Sequence, residues 1–145
     1  MSGIHEVLGI AVLAANLLAA VWGGVSWWRK VPSIAFWPIL RVAQATVALE
    51  VVLGLVLWAR GDEPPDRLHY IYGIAPLVVS LVCEGMRVGA AQKELTDVED
   101  VDALTHREQV LIARKVVIRQ MGVMTVGSLL IVTLALRAAA SGGLF

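Results

Sequence analysis

The chain alternates between four long apolar runs and short polar breaks. The runs cover about 7–27, 38–59, 70–91 and 116–138. Each approaches the ~20 apolar residues that a helix needs to cross a bilayer. Within the runs the polar residues are not scattered. In a helix, positions i, i+4, i+7 or i+8, i+11 and i+15 share one face. In the first run that face carries His5, Gly9, Asn16 and Ala20; in the third it carries His69, Gly73, Ser80 and Glu84. A polar stripe on an otherwise apolar helix belongs inside a bundle, away from lipid.

The two stripes are related. Residues 69–77 repeat residues 5–13 at an offset of 64, with five of nine positions identical: His, Gly, Ile, Ala and Leu. Around them Ile4 corresponds to Leu68, Asn16 to Ser80, Leu17 to Leu81 and Arg29 to Lys93. Ser2 and Asp66 stand three residues before the paired histidines, and both are good helix N-caps. The chain has only three histidines, so a matched pair is an internal repeat rather than an accident of an Ala/Leu-rich composition. The breaks are short, and Gly61-Asp62-Glu63-Pro64-Pro65 forces the second and third helices to be antiparallel neighbours. The expected fold is all-α: one domain, an integral-membrane antiparallel four-helix bundle made of two duplicated two-helix halves. Spans one and three lie on its diagonal.

Further signals refine this layout. Pro76 interrupts the third run and predicts a bend. Thr96-x-x-Glu99 and Thr105-x-x-Glu108 both match the capping box. The second predicts a fourth helix that starts at about Thr105 and projects two or three turns before entering the bilayer near Val116. The last few residues, from Ser141 to Phe145, are expected to fray.

Composition agrees. The 145 residues are 58% hydrophobic with a mean hydropathy of +0.75 and no net charge, which points to a lipid bilayer and away from nucleic acid. No Lys or Arg precedes the first span, so it reads as retained rather than as a cleaved leader. Nine Lys/Arg flank the 30s and 96–105 breaks, and three (Arg60, Arg67 and Arg137) flank the other ends. By the positive-inside rule both termini face outward, as in a bacterial plasma membrane. The single cysteine, Cys83, cannot form an intrachain disulfide. No phosphate-binding loop, His-Glu-x-x-His or nucleophile elbow is present.

Candidate chemistry lies with the paired histidines. Each falls in a first helical turn at one leaflet, four residues before a glycine. Two level imidazoles on facing helices suit the axial ligation of one b-type haem. Gly9 and Gly73 would leave room for the macrocycle, Arg60 and Arg67 would pair with its propionates, and Tyr70 and Tyr72 would line the rim. The arrangement of His5, Gly9, His69 and Gly73 resembles that of four-helix transmembrane b-type cytochromes, which hold haem between histidines of different helices. Those proteins often stack two haems; here His106 stands alone, leaving no second pair. A mononuclear copper or zinc site needs a third ligand, for which Glu6 is available. Glu50, the deepest acid, suggests either interhelical hydrogen bonding or a proton relay. Asn16, Ser80, Thr125 and Ser128 are candidates for the same depth. Glu84, Arg87, Arg41, Gln44, Arg119 and Gln120 are expected to cluster near the other face. The leading expectation is a small membrane cytochrome, for electron transfer or as a haem subunit of a respiratory complex. Its rivals are a cofactor-free accessory or assembly subunit and a small proton- or ion-conducting transporter using Glu50. Partners beyond lipid would be other membrane-complex subunits or further copies of the chain.

Overall fold

The computed structural model describes residues 2–64, 66–96, 98, 100–101 and 103–142, with side chains from Gly3 onward. Four helices make up nearly all of it: α1 (Ser2–Trp28), α2 (Phe36–Ala59), α3 (Leu68–Leu95) and α4 (His106–Ser141). All four are long and apolar enough to cross a membrane, and no strand occurs among the described residues. Their outward faces expose large apolar side chains, such as Val7, Leu17, Leu49, Leu81 and Leu129. Water does not tolerate so continuous an apolar surface, whereas lipid does. The protein is an integral membrane protein. Trp28 and Trp58 are exposed at opposite ends, where amphipathic rings sit at membrane–water boundaries.

The helix ends follow local chemistry. At the end of α1, Lys30 takes a left-handed φ of 54°. The Val31 N–H then donates to the Ser26 carbonyl at 3.0 Å, closing a Schellman-type cap. Gly61, with φ 87°, does the same for α2, and the Asp62 N–H reaches the Leu57 carbonyl at 3.1 Å. Only glycine adopts that conformation without strain. The α3 helix begins one residue later than a cap at Asp66 would place it. Arg67 is its N-cap, and the Asp66 carboxylate accepts the Leu68 N–H at 3.0 Å. Thr105 caps α4, and Glu108 completes the reciprocal box. The Thr96 pattern starts no helix: Thr96 closes α3, and its hydroxyl donates to the Gln92 carbonyl. Glu99, the Ser2 side chain and residues 143–145 lie outside the described part, and with them the Thr96 box, the Ser2 cap and most of the tail expected to fray.

Three of the neighbouring pairs of helices touch at two or more levels in antiparallel register. Along α1 and α4, Gly23 meets Thr125, Trp27 meets Gly122, and the Lys30 carbonyl accepts from Arg114. Along α3 and α4, His69 meets Ala138 and Cys83 meets Gly127. Along α1 and α2, His5 meets Glu50, and Trp22 donates to Ser33 across the connecting turn. These approaches depend on missing side chains. A β-carbon on Gly122 would stand 2.7 Å from the Trp27 indole, and one on Gly127 would stand 2.5 Å from Cys83 Sγ. Small residues permit such close packing in lipid, where dispersion contacts replace the hydrophobic drive.

Of the four neighbouring pairs, α2 and α3 touch least. They are joined toward the 96–105 end by a polar network. Glu84 accepts from Arg41 at 2.7 Å and Gln44 at 2.8 Å through Oε1, and from Arg87 at 2.8 Å through Oε2. Arg87 also stacks on Trp37. Gln120 donates to the Arg87 carbonyl. Arg119, expected in the same cluster, pairs instead with Glu94 at 2.5 Å. Toward the other end α2 and α3 separate around a cavity.

Two apolar clusters fill the bundle between these features. Phe36, Leu40, Cys83, Met121 and Met124 pack beside the polar network; Val12, Val47, Ile131 and Ala135 pack beneath the cavity. Asn16, Ser80, Thr125 and Ser128 are buried. Asn16 satisfies itself locally, donating to the Val12 carbonyl at 2.9 Å.

Candidate functional site

The cavity opens at the end of the bundle that carries residues 2–5, the 60s loop and Gly142. Its volume is about 900 Å³, within the range of small-molecule and cofactor sites. All four helices contribute to its walls, and Val12, Val47 and Ala135 form its floor. His5, Gly9, His69, Gly73, Tyr70 and Tyr72 all line it.

The α1 and α3 helices lie across the bundle diagonal, yet their histidines meet. The ring centroids of His5 and His69 are 5.9 Å apart, with planes at 74°. Both rings are partly buried. The Nδ1 of each ring lies near an oxygen. His69 Nδ1 lies 2.9 Å from the Ala138 carbonyl. A carbonyl only accepts, so Nδ1–H must donate, and the neutral ring keeps its lone pair on Nε2. His5 Nδ1 stands 3.2 Å from Glu50 Oε1, an ion-pair approach without in-line hydrogen-bond geometry. It favours the same tautomer.

Glu50 therefore belongs to the histidine layer and not to the depth of Asn16 and Ser80. A β-carbon on Gly9 would stand 3.1 Å from Glu50 Oε1, and one on Gly54 would stand 3.6 Å from His5 Cε1. Gly9 lets the carboxylate approach α1, and Gly54 lies beside the His5 ring at ordinary contact distance. Gly9 makes room for a carboxylate. Gly73 faces open space, with nothing within 4 Å of where its β-carbon would stand. Glu50 Oε2 is buried with no hydrogen-bond partner among the described residues.

The arginines divide differently. Arg60 caps α2 and Arg67 caps α3; both are exposed and neither lines the cavity. Arg137 stacks 5.8 Å from the centroid of Tyr72, a lining residue. In the sequence Arg137 stands out only as one charge among those that set orientation. Its place one residue before Ala138, the partner of His69, follows from the α3–α4 register. The lining also holds the acids Glu6, Asp62 and Glu63. Among the described residues no group of three His, Cys, Asp or Glu side chains is placed to hold a metal ion, so Glu6 does not complete a copper or zinc site with the histidines.

No family model, no curated protein and no solved structure matches this chain.

Proposed function

We propose that this protein is a small membrane b-type cytochrome holding one haem between His5 and His69, as an electron carrier or as the haem subunit of a respiratory assembly. The observation that carries the reading is the meeting of two histidines from diagonal helices inside a cavity. An imidazole nitrogen binds a metal at about 2.0–2.1 Å, so rings on opposite sides of one metal have centroids roughly 6 Å apart. The 5.9 Å separation fits this distance. His69 is held by a hydrogen bond to the Ala138 carbonyl and His5 faces the Glu50 carboxylate at 3.2 Å; an acceptor on one nitrogen orients metal-binding histidines and leaves the other nitrogen free to ligate. A porphyrin brings its own equatorial ligands, so two protein ligands suffice where a bare zinc or copper ion needs a third. Gly73 leaves space beside His69, and Arg60, Arg67 and Arg137 supply positive charge at the same end for propionates. Haem bound here would supply a reversible one-electron couple.

Two observations weigh against conduction through Glu50. The carboxylate is turned to His5, and the apolar cluster of Val12, Val47 and Ile131 lies between the cavity and the polar network around Glu84. The asymmetry of nine Lys/Arg against three supports a cytoplasmic 96–105 loop, with the histidine end outside.

The test is an absorption spectrum of the full chain purified from membranes and reconstituted with haem. Wild type should show a Soret band and sharp α and β bands on reduction. His5→Ala and His69→Ala should each lose that low-spin spectrum; His106→Ala should keep it. A wild-type protein that takes up no haem would refute the reading.

A further inference from the structure

We infer that Glu50 is a positioning residue that acts through His5 to set haem affinity and redox potential. This rests on the haem reading above. The two histidines differ in what stands behind them. His69 is backed by a neutral backbone carbonyl at 2.9 Å, and His5 by a carboxylate at 3.2 Å. An acceptor on the far nitrogen orients a ligating imidazole and raises its basicity. A carboxylate does so more strongly than a carbonyl, because it brings a full charge into a low-dielectric site.

The chain builds room for this pair on α1. Gly9 clears the carboxylate, while Gly54 on α2 lies at ordinary contact distance from the His5 ring. Glu50 also has an otherwise unexplained feature. Its Oε2 is buried with no partner among the described residues, and a buried acceptor without a donor is unfavourable. A positively charged metal on the far side of the His5 ring would offset that cost. The same charge stabilises ferric haem more than ferrous haem, so it lowers the potential. Glu6, Asp62 and Glu63 also line the cavity, but no contact joins them to either ring among the described residues.

The experiment measures haem affinity in both oxidation states, and the midpoint potential, on the full chain in detergent. Glu50→Gln should keep the low-spin spectrum. Its ferric affinity should fall about tenfold or more, with a smaller change for ferrous haem. Each tenfold difference between the two states raises the potential by about 59 mV. Glu50→Asp, which keeps the charge one methylene further away, should fall between; it decides the matter if Glu50→Gln does not fold. Asp66→Asn, which removes a charge at the same end from an exposed residue outside the cavity lining, should match wild type. Glu50 variants with wild-type affinity and potential would overturn the inference while leaving the histidine reading intact. An equal shift in Asp66→Asn would also overturn it, by showing a general effect of charge. A wild-type chain that binds no haem would end both, a result the spectrum alone reveals.

Discussion

Gly9 faces Glu50 so closely that a β-carbon on the glycine would stand 3.1 Å from the carboxylate oxygen. One glycine of the repeated His-x-x-x-Gly thus serves a neighbouring helix, and the other, Gly73, opens on the cavity. The two should respond differently to substitution. Gly9→Ala should be tolerated with a small shift of the flexible carboxylate, while Gly9→Leu should expel it and disturb His5. Gly73→Ala should be nearly silent, and Gly73→Leu should fill cavity volume and lower haem loading with the fold intact. Haem stoichiometry and thermal unfolding of the four variants check this. Equal effects of Gly9→Leu and Gly73→Leu on loading and on stability would contradict it.

Orientation can be read with thiol reagents, because the one native cysteine, Cys83, is buried. Glu63 and Arg107 are exposed at opposite ends of the bundle. Glu63→Cys should label in intact cells with a membrane-impermeant maleimide. Arg107→Cys should label only after permeabilisation. The reverse pattern would place the histidines on the cytoplasmic side.

The α3–α4 seam should show strong coupling between Cys83 and Gly127. A methyl group on Gly127 would come within 2.5 Å of Cys83 Sγ, and overpacking of this kind costs about 1–3 kcal/mol. Gly127→Ala should therefore destabilise despite alanine's better helix propensity. Adding Cys83→Ala should recover much of the loss, since the sulfur that obstructs is then gone. A double-mutant cycle in detergent measures the coupling; additive effects would mean that the seam relaxes freely.

At the opposite end the two arginines on Glu84 should not be equivalent. Arg87 grips Glu84 Oε2 through both Nε and Nη2 at 2.8 Å, and its guanidinium stacks on Trp37. Arg41 makes a single contact to Glu84 and its side chain is 53% exposed. Exposed ion pairs contribute roughly 0–1 kcal/mol. Arg87→Ala should lower the unfolding midpoint clearly, and Arg41→Ala only slightly. Comparable losses would show that the bridge from α2 to α3 depends on Arg41 as much as on the stacked Arg87.

Much of this architecture is written locally. Apolar run length marks the four helices, and Thr105 with Glu108 marks the start of α4, because each signal lies within one segment. The meeting of His5 and His69 was legible for a different reason: two related helices carry the residue at corresponding positions. The pairing of Glu50 with His5 had no such signal. It depends on how far α2 slides along α1, which is set by contacts such as Gly54 against His5, and no spacing within either helix encodes that slide. The same holds for the arginines. Arg60 and Arg67 are rightly placed at the cavity's end of the molecule, but a residue count gives their height and not the direction in which they point.

The histidines sit within the first turn or so of their helices, His5 near the start of α1 and His69 next to the first residue of α3. The rest of each helix runs on for roughly 30–40 Å at 1.5 Å per residue. A charge accepted at such a site traverses little of the electric field across the bilayer, where each charge carried fully across gains or loses about 2.3 kcal/mol per 100 mV. Chemistry at the histidines would then proceed at nearly the same rate in an energised membrane as in a collapsed one. A protein working this way would pass charge along one surface and store no work in the membrane voltage.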